Sequence, residues 1–166
     1  MKVVRYAIGL LALAGFVAAM SAHVASLKDI DVAARWPAVW GLHAGIFVVF
    51  LPFIFSSKKM FGPKPGLREL SALVPPWVAA MALILMIYAV CNFILFMTSG
   101  LLGDAKFEDG RYVLMSHGRL VRELTQDEYV KSRAMEVRGF SGHWMLFYFV
   151  PFAYFMFSRR PTPYFE

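Results

Sequence analysis

One apolar run decides the fold of this chain: Leu73 to Thr98, LVPPWVAAMALILMIYAVCNFILFMT, contains no Asp, Glu, Lys or Arg. At a rise of about 1.5 Å per residue, a helix of this length measures about 39 Å, which exceeds the roughly 30 Å of a bilayer's hydrocarbon core. Three further runs share this lack of charge. They are Tyr6 to Leu27, Pro37 to Phe55 and Phe140 to Phe157. The sequence therefore predicts four transmembrane helices.

The composition supports this interpretation. Hydrophobic residues make up 59% and aromatic residues 16% of the 166-residue chain, and its mean hydropathy is +0.57, which is too apolar for a soluble domain of this size. The predicted fold class is an all-α integral membrane protein with a small cap in its last extracytoplasmic loop. Residues 1–98 are expected to hold the first three helices, residues 99–139 the cap, and residues 140–166 the fourth helix and a cytoplasmic tail.

Four tryptophans lie near the ends of the runs, where the lipid headgroups are expected. Tryptophan is enriched at this depth because its ring is apolar and its N–H can reach polar groups. The four are Trp36, Trp40, Trp77 and Trp144. The sequence therefore predicts that they mark the boundaries of the bilayer.

The distribution of charge predicts the orientation in the membrane. The N-terminus, the loop between the second and third runs and the C-terminal tail together carry eight basic and two acidic residues, a net charge of +6. The other two loops together carry nine basic and nine acidic residues. By the positive-inside rule, both termini are expected in the cytoplasm, and a bacterial inner membrane is the expected location. The first run could instead be a signal peptide, since Lys2 and Arg5 precede it, but the remaining helices would keep their orientation.

The second and fourth runs resemble each other. The second contains His43 and then FLPF at residues 50–53, the fourth contains His143 and then FVPF at residues 149–152, and each is followed by a serine and two basic residues. A duplicated hairpin would place these two helices parallel, related by a pseudo-two-fold axis along the membrane normal. Convergence of two helices that run in the same direction explains the pattern equally well, so both origins stay open.

Few polar or helix-breaking residues interrupt the runs. Pro52 and Pro151 are expected to kink their helices where these face protein, because lipid cannot satisfy the freed carbonyls. Asn92 is expected to form a hydrogen bond between helices, worth about 0.6 to 2 kcal/mol. The lack of charge within the runs argues against an ion-coupled transporter. Cys91 is the single cysteine, so the chain lacks the cysteine pair of thiol redox enzymes.

Residues 99–139 are predicted to fold as a cap. Short β-prone runs alternate with the turn dipeptides DG at residues 109–110 and HG at residues 117–118, which indicates a meander of short strands. Thr125 and Glu128 have the spacing of a capping box, which predicts a polar helix over residues 126–138 that docks on the membrane surface before the fourth run. Because so few strands are marginally stable alone, the cap is expected to pack on the helices or on a partner protein.

Histidines are the candidate site residues. His23, His43 and His143 are all expected near the outer ends of their helices, so they could converge. His43 and His143 are candidate ligands of haem or another cofactor, with His23 joining them in a candidate metal site, because imidazole binds haem iron and transition metals. The alternative is that these are structural histidines at the interface, hydrogen-bonded to nearby carbonyls or lipid phosphates. His117 is predicted to be a turn residue.

Two functions stay open. The first is a non-enzymatic scaffold, accessory or assembly subunit that lies in the lipid bilayer and engages a protein partner or a homo-oligomer through its outer cap. The second is a haem- or metal-binding membrane redox protein that uses the histidines. An enzyme is less favoured, because the sequence contains no nucleophile elbow, P-loop or dinucleotide-binding glycine pattern. Nucleic acid is not an expected partner, since the basic residues form no stripe interleaved with aromatic residues.

Overall fold

The computed structural model describes residues 2–61, 66–99 and 103–158. Three long helices come first and are joined by short ones, a three-stranded sheet follows, and one long helix ends the described chain. The elements are α1 (Lys2–Ser26), α2 (Val32–Arg35), a 3-10 turn (Pro37–Trp40), α3 (Gly41–Phe61), α4 (Leu67–Ala72), α5 (Pro76–Thr98), β1 (Asp104–Glu108), β2 (Arg111–Ser116), β3 (Arg119–Leu124) and α6 (Gln126–Phe157). Residues 159–166, which belong to the segment predicted to hold the cytoplasmic tail, lie outside the described residues.

Three segments are long and apolar enough to cross a membrane: Val3–Ser26, Pro37–Met60 and Pro76–Thr98. They correspond to the first three predicted spans and support a membrane protein. The fourth run, which forms the second half of α6, is not among them. It carries Trp144, Tyr148 and several other polar or amphipathic side chains that lower its hydropathy, and these two are buried against protein. The fourth span therefore stays a prediction.

Helix α6 lies at the centre of the molecule. It packs against α1, α3 and α5, and its first half also contacts all three strands. It runs antiparallel to α1, because Gly9 near the start of α1 faces Met156, whereas His23 near its end contacts Ser141. The other elements thus share α6 as a common partner.

Helix α3 runs parallel to α6. The rings of Phe50 and Phe147 lie 5.0 Å apart, and further along both helices, about one turn on α3 and two turns on α6, Phe53 lies 5.2 Å from Tyr154. The two helices with similar sequences are thus parallel neighbours, as a duplicated hairpin requires. The duplication itself and its pseudo-two-fold axis stay predictions, since convergence on one direction gives the same arrangement.

Both span prolines lie inside continuous helices. Helix α3 continues through Pro52 and helix α6 continues through Pro151. Pro151 is fully buried and therefore faces protein, as expected, whereas Pro52 is half-buried. A kink at either position stays a prediction.

Arg5 joins the start of α1 to the end of α6. Its Nε donates to the carbonyl of Phe155 at 2.6 Å, and its Nη2 donates to the carbonyl of Ser158 at 2.9 Å. The last carbonyls of a helix have no partners within the helix, and a basic side chain is a common way to satisfy them. Arg5 therefore both caps α6 and holds the two helices together at this end.

The cap contains the predicted meander. The strands are antiparallel in the order β1, β2, β3, with an irregularity in register between Leu114 and Met115. Both residues of each turn dipeptide have positive φ, with Asp109 at 50° and His117 at 49°, as tight hairpin turns require. The Thr125 side chain accepts from Glu128 N and the Glu128 side chain accepts from Thr125 N, so the predicted capping box is confirmed.

One expectation from the sequence is wrong. The polar helix does not stop before Gly139, because α6 continues without a break from the cap into the apolar run. Gly139 instead provides space for the Phe96 ring of α5, since a Cβ at this position would lie 2.6 Å from Phe96 Cγ. The side chain of Trp144 is fully buried between helices and not exposed to headgroups, and its depth in a bilayer stays a prediction. Trp36 and Trp77 are exposed, as headgroup contact requires.

Gly15 makes the closest approach between α1 and α6. A Cβ at this position would collide with the ring of Tyr148, whereas a Cβ at Gly41 would meet no atom within 4 Å. Gly15→Ala should therefore lower the free energy of unfolding by about 1 to 3 kcal/mol, the usual cost of overpacking. Thermal unfolding in mild detergent, followed by circular dichroism, measures this effect.

Gly41→Ala is the matched control and should leave the unfolding temperature unchanged or slightly higher. Equal unfolding temperatures for the two variants would show that α1 can pack against Tyr148 even with a side chain at position 15.

Candidate functional site

The structure brings two of the three candidate histidines together. His43 lies in the first turn of α3 and His143 lies on α6, and the parallel packing of these helices places their ring centroids 5.8 Å apart at an angle of 89°. His43 is exposed and His143 is half-buried. The pair is therefore reachable from the surroundings of the bundle.

Aromatic side chains surround the pair. The Phe140 ring lies 6.0 Å from His43 and 5.7 Å from His143. The indole Nε1 of Trp144 donates a hydrogen bond of 3.0 Å to His43 Nδ1. In the neutral imidazole this bond places the proton of His43 on Nε2. Nε2 could bind a metal ion only after the proton moves to Nδ1, which would break the bond to Trp144. Trp144 thus orients the His43 ring, a role that its predicted place at the headgroups did not suggest.

His23 does not join the pair. Its side chain is 3% exposed, its Nδ1 lies 2.7 Å from Ser141 Oγ, and its Nε2 lies 2.5 Å from Tyr88 Oη. A metal ion would have to displace one of these partners to bind His23. The geometry therefore favours a structural role in which His23 connects α1 to α5 and α6.

The partners of His23 were not predicted from the sequence. The only indication in the sequence is that Ser141 and Tyr88 carry hydroxyl groups within apolar runs. Buried hydroxyls and imidazoles need hydrogen-bond partners, so such residues on neighbouring helices are candidates for mutual contacts. Their pairing depends on which helices are neighbours, which the sequence does not show.

The pair could hold one metal ion between two imidazoles. With a distance of about 2.0 to 2.1 Å from metal to nitrogen, two imidazoles that share an ion have ring centroids about 5 to 6 Å apart, and the observed spacing falls in this range. Among the described residues, no group of three His, Cys, Asp or Glu side chains is placed to hold a metal ion. Any ion at the pair would need water or another molecule as its remaining ligands.

The glycines near the pair offer a macrocycle little space. A Cβ at Gly142 would lie 2.6 Å from Asn92 Nδ2, and one at Gly45 would collide with the hydroxyl of Tyr148. These glycines serve the packing of α6 against its neighbours, and only Gly41 faces open space. The surroundings of Gly45 and Gly142 therefore do not favour a haem beside the pair.

Asn92 forms the predicted bond between helices. Its Nδ2 on α5 donates to the carbonyl of Arg138 on α6 at 2.8 Å, and its side chain is 3% exposed. An amide placed in this way fixes the register of two helices, because sliding either helix would leave a buried polar group without a partner.

The cap is the second candidate site, and it is attached to α6 by a small apolar cluster. The buried members are Ala105, Leu114 and Leu124, with Tyr112 and Tyr129 packed against them. Tyr129 belongs to α6, and its ring lies 4.9 Å from that of Tyr112 on β2. Anything that binds the sheet therefore acts on α6.

An ion-pair group ties the cap to the link between α1 and α3. Arg133 Nε on α6 lies 3.4 Å from Asp31 Oδ2, and its Nη1 lies 3.2 Å from Glu136 Oε2. Asp31 also accepts from Ala34 N at 2.9 Å and so caps α2. Burial raises the pKa of Glu136, since loss of water outweighs the attraction of Arg133. The ion pairs of Arg133 therefore help to hold the first half of α6 against the link between α1 and α3.

Several large apolar side chains of the sheet are exposed. Phe107, Leu120 and Val121 are each more than half exposed. The register and the alternation of side chains place Phe107 and Leu120 on opposite faces of the sheet. The outer edges of β1 and β3 pair with no other strand of the described chain. Exposed apolar residues beside an open strand edge are typical of a surface that a partner covers.

Comparison with known proteins finds no matching family model, no matching curated protein and no matching solved structure. What the histidine pair and the cap do must therefore follow from their own chemistry.

Proposed function

We propose that this chain is a non-enzymatic accessory subunit of a membrane assembly and that its cap binds a protein partner. The observation that carries this proposal is the continuity of α6, whose 32 residues run from the cap into the centre of the helices. A partner bound to the sheet would be connected through one rigid helix to α1, α3 and α5. This arrangement suits a subunit that holds another protein at a defined place on a membrane.

The edge strand β3 is the proposed contact. It carries Leu120 and Val121, two adjacent large apolar side chains that are 57% and 55% exposed. Strand edges recruit partners through backbone hydrogen bonds, and apolar side chains beside the edge add buried area. A second copy of this chain could occupy the same edge, so a homo-oligomer is one form of the proposal.

The proposed setting is a bacterial inner membrane with four spans and both termini in the cytoplasm. Its supports are the net charge of +6 on one side of the chain and the parallel packing of α6 with α3, one of the three helices that qualify as spans. If α3 crosses the membrane, a parallel helix packed along it is placed to cross as well.

Cysteine labelling tests this topology. In a Cys91→Ser background, Lys131→Cys should react with a membrane-impermeant maleimide added to intact spheroplasts, whereas Lys59→Cys should react only after permeabilisation. Both native side chains are exposed, so access to either depends on the side of the membrane. The reverse pattern would overturn the orientation, and reaction of both sites in intact spheroplasts would overturn the proposed crossing of α5 between them.

A double variant in β3 tests the cap contact. Leu120→Lys with Val121→Lys should release the chain from its assembly, because lysine opposes apolar burial and blunts a strand edge. In native gels of membranes solubilised with mild detergent, the wild type should migrate above its own 18.8 kDa and the variant should migrate as a single chain. Phe107→Lys, on the opposite face, is the matched control and should keep the larger complex.

Migration of the wild type as a single chain under these conditions would contradict the accessory role. A complex retained by the double variant would show that another surface makes the contact. A complex whose mass is a multiple of one chain would identify the partner as a second copy.

The histidine pair supports a second candidate function, a haem- or metal-binding redox protein. The observation that favours it is the short distance between His43 and His143, since two imidazoles at this spacing could supply two of the ligands of a metal ion. The surrounding aromatic rings would give such an ion an apolar environment, which affects its redox potential.

An absorption spectrum and an elemental analysis of purified protein test this candidate. A Soret band or a metal bound in a stoichiometric amount should disappear in the His43→Ala, His143→Ala double variant. His117→Asn is the control, because asparagine tolerates the positive φ of this turn and the residue lies far from the pair along the chain. Colourless, metal-free wild-type protein purified from cells grown with iron, copper and zinc would reject the candidate.

A further inference from the structure

A long apolar groove lies between α3 and α5, on the surface of α6. Its volume is about 630 Å³. The walls are aromatic and aliphatic side chains of the three long helices, among them Phe50, Val78, Met86 and Val150. The groove is open at its side, since Leu83 and Met86 are 52% and 39% exposed. This open side would face lipid in the proposed membrane setting, on which this inference rests.

The groove has the height of one leaflet. Along α5 it extends from Val78 to Met86, a rise of about 12 Å, and α4 closes the end beside Val78. One leaflet contributes about 15 Å to a hydrocarbon core of about 30 Å. The groove therefore begins at one membrane surface and ends near the middle of the bilayer.

Among the described residues that line the groove, one carries a positive charge, and it stands at the surface end. Arg68 of α4 lines the groove there, together with Ser71. Its side chain is exposed and forms no hydrogen bond or ion pair with the other described residues. The neighbouring Glu69 is already engaged, since its Oε2 accepts from Gly66 N at 2.8 Å. A free guanidinium beside an apolar groove is suited to bind an anionic head group such as a phosphate.

We propose that this groove binds an anionic phospholipid, with one acyl chain between α3 and α5 and the phosphate at Arg68. The charge of Arg68 complements the phosphate, and the height of the groove matches the chain of a lipid in the leaflet at this end. Basic residues on this side of the chain would also attract anionic lipid from the surrounding bilayer.

A transmembrane helix of a partner fits the groove less well. Arg68 lines the surface end of the groove, and a phosphate complements its charge, whereas the apolar segment of a transmembrane helix offers no counter-charge there. A flexible acyl chain is thinner and adapts to the irregular aromatic walls.

Native mass spectrometry of the full chain in mild detergent tests the proposal. Phosphatidylglycerol and phosphatidylcholine with identical acyl chains are titrated separately. The wild type should bind one phosphatidylglycerol molecule about tenfold more tightly than phosphatidylcholine, a typical effect of one charge-assisted contact. Arg68→Gln should remove this preference, and Lys59→Gln, a loss of charge at an exposed site outside the groove, should retain it.

A second variant tests the acyl-chain site. Ala79→Phe fills the groove and should weaken binding of both lipids by about tenfold. Ala14→Phe makes the same change at an exposed position of α1 outside the groove and should have no effect. Circular dichroism and thermal unfolding confirm that each variant is folded, and Leu83→Trp replaces Ala79→Phe if that variant is not.

Equal binding of both lipids to the wild type, or an unchanged preference in Arg68→Gln, would overturn the proposal. Equal competition by inorganic phosphate would show an anion site without an acyl-chain site and would also overturn it. A copurified protein helix that is lost in Ala79→Phe would replace the lipid as the occupant. The cap variant with Leu120→Lys and Val121→Lys should bind lipid normally, so failure of the cap proposal and failure of this one are distinguishable.

Discussion

The close packing of α6 against its neighbours is the interaction on which the remaining structure depends. In lipid, helices gain little from burying apolar surface, so their association requires close approach and good packing. Glycines provide this approach: Gly15 of α1 lies against the Tyr148 ring, and Gly139 of α6 lies against Phe96 of α5. Because α1, α3 and α5 all pack on α6, displacement of this helix would disturb every other long helix as well as the sheet.

The same packing brings polar groups together between the helices. Tyr148 donates to the carbonyl of Leu42 at 2.8 Å, His23 contacts Ser141 and Tyr88, and each contact joins different helices. No buried side-chain nitrogen or oxygen lacks a hydrogen-bond partner within the described part of the chain. These bonds add specificity to packing that is mostly apolar, because a shift in register would leave a polar group without a partner in a medium of low dielectric constant.

Local patterns were reliable where a few neighbouring residues decide the conformation. The DG and HG turns, the three strands and the capping box of Thr125 all follow from short-range chemistry, and the structure contains each of them. The prediction that α6 stops before Gly139 was wrong because glycine serves two purposes. It ends helices in water, but within a bundle it also lets a ring such as Phe96 approach the backbone.

The sequence by itself determined that three long helices are apolar enough for a membrane and that a small sheet follows them, since both depend on composition and local pattern. Only the tertiary structure decided which histidines meet. His43 and His143 approach each other because α3 and α6 are parallel neighbours, whereas His23 is held elsewhere by Ser141 and Tyr88. The physical reason is that side chains on different helices converge only through the order and rotation of those helices, which are properties of the packed molecule.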